Sequence, residues 1–181
     1  MRHLKKLSEI DWKTWKPKER ATLLFVIRDG QALLIDKKKG LGAGKVNAPG
    51  GRVEKGETAQ EAAIREVEEE LCVTPLNVSP RGRLNFQFTD GYSLQGHVFW
   101  ATDCRGEPQE TCEAVPRWTP LDEIPYDKMW ADDLHWIPLM LEGKHFEGHF
   151  IFDDDTMLDH TLITFTPEEW AIECRNGSGE M

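Results

Sequence analysis

The segment Gly50–Val73, GGRVEKGETAQEAAIREVEEELCV, constrains the fold more than any other part of the chain. Thr58-Ala59-Gln60-Glu61 has the S/T-x-x-E form of a capping box, which predicts a helix starting there and running to about Leu71. Ala59, Ala63, Val67 and Leu71 recur at i+4, so one stripe of that helix must lie against a core. Glu66, Glu69 and Glu70 sit at i, i+3 and i+4 and bring their carboxylates to one side, with Arg65 as the one cation on the helix. Like charges at that spacing repel. A solvated acidic face is the ordinary reading of such a run, but Gly50-Gly51 just upstream lets backbone approach a ligand closely. A hard divalent cation such as Mg²⁺, which takes carboxylate and phosphate oxygens together, gives the cluster a use.

Strand patterns surround this helix. ATLLFVIR (Ala21–Arg28) and QALLIDKK flank Asp29-Gly30, which supplies the positive φ angles of a type I′ hairpin turn. Gly40-Leu41-Gly42-Ala43-Gly44 reads as a loop. Arg83–Phe88 and Tyr92–Thr102 flank a turn at Thr89-Asp90-Gly91, a short strand follows near Val115–Trp118, and HFIF and HTLITF flank an acidic turn at Asp153–Thr156. A second helix is predicted from Asp132 to Glu142, with Leu134, Ile137 and Leu141 as its apolar stripe and Pro138 as a kink or interruption. Strands outnumber helices, so the expected class is α+β, a mixed sheet with helices on its faces. The expected organisation is an N-terminal extension at 1–19, one domain at 20–166 and a C-terminal tail at 167–181 that ends in Gly and Ser.

Composition narrows the partners. The 181 residues carry 22 Lys plus Arg against 32 Asp plus Glu, a net charge of −10, which argues against a nucleic-acid polymer as partner. No apolar run approaches the length of a membrane span, and the basic N-terminus lacks the apolar stretch of a secretory signal. Cys72, Cys104, Cys112 and Cys174 are scattered without metal-ligand spacing, so free thiols, a cytoplasmic location and a monomer are expected. His145 and His149 share the i, i+4 spacing of a helical metal pair, but Gly143 and Gly148 favour an extended segment that would hold them ~13 Å apart, as surface histidines.

The Gly51–Val73 segment resembles the Nudix box, G-x5-E-x7-R-E-U-x-E-E-x-G-U, through Gly51, Glu57, Arg65, Glu66, Val67, Glu69, Glu70 and Val73. Cys72 stands where that pattern has glycine, which predicts a strained or altered helix end. The resemblance implies an α/β/α sandwich around a mixed sheet and Mg²⁺-dependent hydrolysis, with Mn²⁺ as a substitute, of a small nucleotide substrate. It implies Glu66, Glu69 and Glu70 as metal-binding carboxylates, the Gly50 carbonyl as a further ligand and Glu70 also as base. Arg65 belongs to the catalytic group, where it and Glu57 organise the loop by a salt bridge, and Glu113 is one more carboxylate near the metal.

Over about residues 20–166, including KKKGLGAGKVNAPGG and IPYDKMWADDLHWIPLMLEGKHFEGHF, the chain is similar to the oxidised-purine nucleoside triphosphatases of that family. That likeness implies hydrolysis of 8-oxo-dGTP or 2-hydroxy-dATP to the monophosphate and pyrophosphate. It implies that Asn47, Asp132 and Asp133 read the purine edges and that Trp130 stacks on the ring, with Thr22, Lys37, Phe86 and Phe88 lining the same pocket. Two adjacent carboxyls beside a buried base need not both ionise, since repulsion and desolvation raise one pKa. An N-cap role for Asp132 or Asp133 is the ordinary alternative. Leu41 and Pro49 replace aromatic residues of close relatives and predict a thinner pocket wall, which leaves another modified nucleotide, a pterin triphosphate or a non-catalytic sensing role open.

Overall fold

The computed structural model describes residues 4–176. Its strands are β1 (Glu19–Arg28), β2 (Gln31–Lys37), β3 (Val46–Asn47), β4 (Thr74–Leu76), β5 (Ser79–Phe88), β6 (Ser93–Ala101), β7 (Asp103–Arg105), β8 (Ala114–Pro120), β9 (His145–Asp153) and β10 (Thr156–Phe165). Its α-helices are α1 (Ala59–Leu71), α2 (Asp133–Leu141) and α3 (Pro167–Asn176). The main sheet runs β10-β9-β5-β6-β1-β2-β3, with β8 also on β2, and β4 pairs with β7 apart from it. It is mixed: β1 is parallel to β6 and β5 to β9, while the other pairs are antiparallel.

The hairpin turn fixes where the site forms. Asp29 and Gly30 take φ values of 52° and 72°, as a type I′ turn requires. Beyond the turn β1 and β2 pair only through Ile27↔Ala32 and Arg28↔Gln31 and then separate. The edge of β1 left open is taken by the chain after β3: Leu24 N–H donates to the Pro49 carbonyl (2.9 Å), Thr22 N–H to the Gly51 carbonyl (2.8 Å), and Val53 N–H to the Arg20 carbonyl (2.9 Å). The box loop is thereby docked along β1 by backbone bonds.

Helices cover both faces, the α/β/α arrangement. On one face Ala59, Ala63, Val67 and Leu71 of α1 are fully buried against Leu24, Val26, Leu33, Ile35 and Phe99. On the other, Trp136 of α2 meets Phe25 edge-on at 5.7 Å and stacks on Phe146 at 5.3 Å. The buried face of α2 is Asp133, Trp136, Ile137 and Met140, whereas Leu134 is 47% exposed. Of the predicted stripe Leu134, Ile137 and Leu141, Ile137 is buried and Leu141 packs partly on the core, while Leu134 faces out. This helix is apolar almost all round, so periodicity does not set its phase, and the bulk of Trp136 does. Pro138 lies within α2 without interrupting it.

Both chain ends pack on the sheet. Trp15 donates its indole N–H to Gln87 (2.9 Å), Lys18 N–H bonds Ser93 (2.9 Å), and Trp12 meets His149 edge-on at 4.5 Å. Pro167–Asn176 is a helix that buries Trp170 against His145 at 5.6 Å. His145 and His149 are therefore partly buried ring partners rather than surface histidines. The Gly/Ser end from residue 177 lies outside the described residues.

Candidate active site

The capping box forms as its sequence predicts: Glu61 N–H donates to the Thr58 hydroxyl (3.2 Å) and Thr58 N–H to the Glu61 carboxylate (3.0 Å). Cys72 closes the helix in the left-handed region at φ 61°, taking the glycine conformation with a β-carbon present. Gly50 and Gly51 are required by close approach. A β-carbon on Gly50 would lie 1.8 Å from the Thr22 carbonyl oxygen, and one on Gly51 2.3 Å from the Glu66 carboxyl carbon.

Arg65 organises the loop. Its guanidinium donates to Glu57 (2.6 Å), Glu66 (2.9 Å), Glu69 (3.3 Å) and the Arg52 carbonyl (3.0 Å). The hydrogen bond to Glu57, helped by Glu66, raises the Arg65 pKa, and Arg65 in turn lowers that of Glu57. Glu66, Glu70 and Glu113 each place a carboxylate oxygen within 4.8 Å of the other two. Glu69 is not in this group. Its side chain, 55% exposed, faces Arg65.

Glu70 is the unusual member. It is 3% exposed, one oxygen accepts a long bond from Gly50 N–H (3.4 Å), and the other is buried with no partner. Burial, then the Glu66 charge, pushes its pKa up to about 8, opposed by Lys37. Burial also raises Glu66, with Arg65 opposing. Converging carboxylates with an unsatisfied buried oxygen fit a divalent cation with oxygen ligands, and an anion would fit nowhere in this group.

A cavity of about 450 Å³ is lined in part by Gly50 and Gly51, which abut Glu70 and Glu66, and by Lys37, whose charge acts on Glu70. Thr22, Lys37, Asn47, Phe86, Phe88, Trp130, Asp132 and Asp133 all line it. Phe88 and Phe152 set their rings edge-on to Trp130 at 6.5 and 5.6 Å, and the Lys45 ammonium lies 5.2 Å from the Trp130 ring. Asp132 occupies the N-cap position of α2 but makes no side-chain cap bond; it accepts the Trp136 indole N–H at 2.8 Å instead. Asp132 and Asp133 are 2% and 3% exposed, and one Asp133 oxygen has no partner. Burial raises both pKa values, and repulsion from Asp132 raises Asp133 further.

Leu41 also lines the cavity, 47% exposed. Pro49 is buried beside β1 and lies off the cavity wall, so its substitution does not thin that wall. Sequence reasoning missed Phe152 and Tyr92. Phe152 reaches the cavity because β9 runs parallel to β5 in the register Phe88↔Phe152. Its strand is legible from alternation, but the pairing of two segments this far apart is not. Tyr92 follows a recognisable turn and is held by a hydrogen bond from its hydroxyl to Glu19 at 2.5 Å.

Residues 17–140 match the NUDIX domain family. The chain belongs to the Nudix family. It is 43% identical over 143 residues to an oxidized purine nucleoside triphosphate hydrolase of Danio rerio, covering 78% of this chain and 92% of that protein. It is 41% identical over the same length to the protein of that name in Mus musculus, with the same coverage. A crystal structure of a mutator MutT protein from Bacillus halodurans superposes with a TM-score of 0.72 at 28% identity, covering 80% of this chain and 97% of that one. Nudix hydrolases act on small nucleotide substrates with a divalent metal, and the carboxylate cluster suits that requirement. Among the described residues, no helix is long and apolar enough to cross a membrane.

Proposed function

We propose that this chain hydrolyses oxidised purine (deoxy)nucleoside triphosphates such as 8-oxo-dGTP or 2-hydroxy-dATP to the monophosphate and pyrophosphate, with Mg²⁺, as a cytoplasmic monomer. The observation that carries the reading is the continuity of one cavity. Its wall includes Asn47 and the buried Asp132–Asp133 pair and also Gly50 and Gly51, which abut Glu70 and Glu66 of the carboxylate cluster. The names of the two vertebrate relatives point the same way.

The chemistry follows from the side chains. Asn47 offers a donor and an acceptor to a purine edge. A protonated aspartic acid donates and an ionised one accepts, so a buried pair that shares a proton can face either pattern of an oxidised base. Trp130 and the phenylalanines present π-faces and edges to the ring, worth ~1–3 kcal/mol by stacking. Thr22 holds the box loop, its hydroxyl 3.3 Å from the Gly51 carbonyl. Lys37 lies between base wall and carboxylates, where it favours phosphate oxygens. Mg²⁺ would be held by Glu66, Glu70, Glu113 and the Gly50 carbonyl, with Glu69 beside them on Arg65, and would neutralise phosphate charge and polarise water. Glu70, whose ionised form burial disfavours, takes the proton of the attacking water.

The test is pyrophosphate release with Mg²⁺ from 8-oxo-dGTP, 2-hydroxy-dATP, dGTP and dATP at subsaturating concentration. A kcat/KM preference of tenfold or more for an oxidised base is expected. Equal turnover of all four would keep the Nudix chemistry and remove the sanitising role.

A further inference from the structure

A helix leaves its last carbonyls without intrahelical partners. At the end of α1, Cys72 N–H takes the Glu68 carbonyl (3.0 Å), and the two carbonyls nearest the site are taken by the loop at 106–113. The Thr111 hydroxyl donates to the Glu70 carbonyl at 2.8 Å, and Gln109 N–H donates to the Leu71 carbonyl at 2.9 Å. The same hydroxyl accepts the Glu113 N–H at 3.2 Å. One side chain thus joins the backbones of Glu70 and Glu113, which come from different elements and place their carboxylates together. A hydroxyl can donate once and accept at the same time, so both bonds form simultaneously.

Lys38 secures this loop from the sheet. Its ammonium donates to the Thr111 carbonyl (2.9 Å) and to Glu110 (2.6 Å), and its N–H to the Glu113 carbonyl (2.9 Å). Glu113 is exposed on a loop and faces two other carboxylates, so repulsion drives it outward unless something holds its backbone.

We propose that Thr111 is a positioning residue of the cation site, holding Glu113 against Glu66 and Glu70, with Lys38 as the clamp on its loop. This rests on reading that cluster as the site of a divalent cation. Thr111 touches neither substrate nor reacting atoms; it acts through Glu113.

The test uses the full chain without nucleotide and reads Mn²⁺ binding from the electron paramagnetic resonance of the free ion. Thr111→Val keeps shape and removes the hydroxyl. Its Mn²⁺ dissociation constant is expected to rise about tenfold, as for other residues that orient metal ligands. Thr111→Ser should bind as the parent does, Lys38→Met should weaken binding in the same direction, and Thr111→Val should cost nothing further in a Glu113→Gln background. Parent-like binding by the valine variant, a serine variant as weak as the valine, or an equal loss with and without Glu113 would each overturn the proposal. Failure of the parent chain to bind Mn²⁺ would overturn the cation reading of the cluster, and this assignment with it.

Discussion

Asp133 carries a large electrostatic cost for its place in the cavity. It is buried beside a second buried carboxyl, and one of its oxygens has no partner. Burial puts the Asp132 titration at about 6 and Asp133 above its ordinary range, both higher than in an unfolded chain. Groups raised in this direction cost little while protonated, and their contribution to stability is lost as pH rises through the folded-state value. Asp133→Asn removes one of the two titrating carboxyls. It is expected to raise stability at pH 8 by on the order of 1 kcal/mol, about 2–4 °C for a chain of this size, and by less at pH 5. A melting series across that range checks the sign, and a gain confined to acid would contradict it. Cys72 predicts a second gain. Its side chain is exposed and its backbone left-handed, so Cys72→Gly should stabilise by about 1 kcal/mol. A shift in denaturant midpoint at constant slope is the readout.

At the scale of elements, the separation of β1 from β2 makes room for the box loop, and Gly50 makes the loop fit. Gly50→Ala sets a methyl group against backbone rather than against a movable side chain. It should cost about 3 kcal/mol and displace the Glu70 contact, measured as a lowered melting midpoint together with lost turnover. The three hairpin turns, the capping box and the buried stripe of α1 are legible in sequence because each depends on residues a few positions apart. The phase of α2 is not, since its apolar residues surround the helix and only its tertiary partners Phe25 and Phe146 decide which way it faces. The same limit hid α3, whose one buried residue, Trp170, finds its partner on β9.

For the whole molecule, the sheet has one face for each half of the task. Helix α1 on one side supplies Glu66 and Glu70, joined by Glu113 from the loop before β8; the base wall forms on the other, between β5, β9 and the start of α2, and its cavity reaches Gly50 and Gly51 beside those carboxylates. The box residues were readable as chemistry because their spacing is helical. The base-reading residues became readable only through family resemblance, since Asn47, Phe86 and the Trp130–Asp133 stretch come from three segments that no local pattern connects. Phe152 and Thr111 depend on long-range register and loop docking, so nothing in their own neighbourhoods marks them.

Base selection belongs to this cavity and not to the carboxylate cluster alone. It is tested most directly by kcat/KM for 8-oxo-dGTP and dGTP in the parent chain and in Asn47→Ala. A preference for the oxidised base of tenfold or more is expected in the parent. In the variant that preference should fall severalfold, with pyrophosphate still the product. A preference left intact in Asn47→Ala, or absent from the parent, would contradict it.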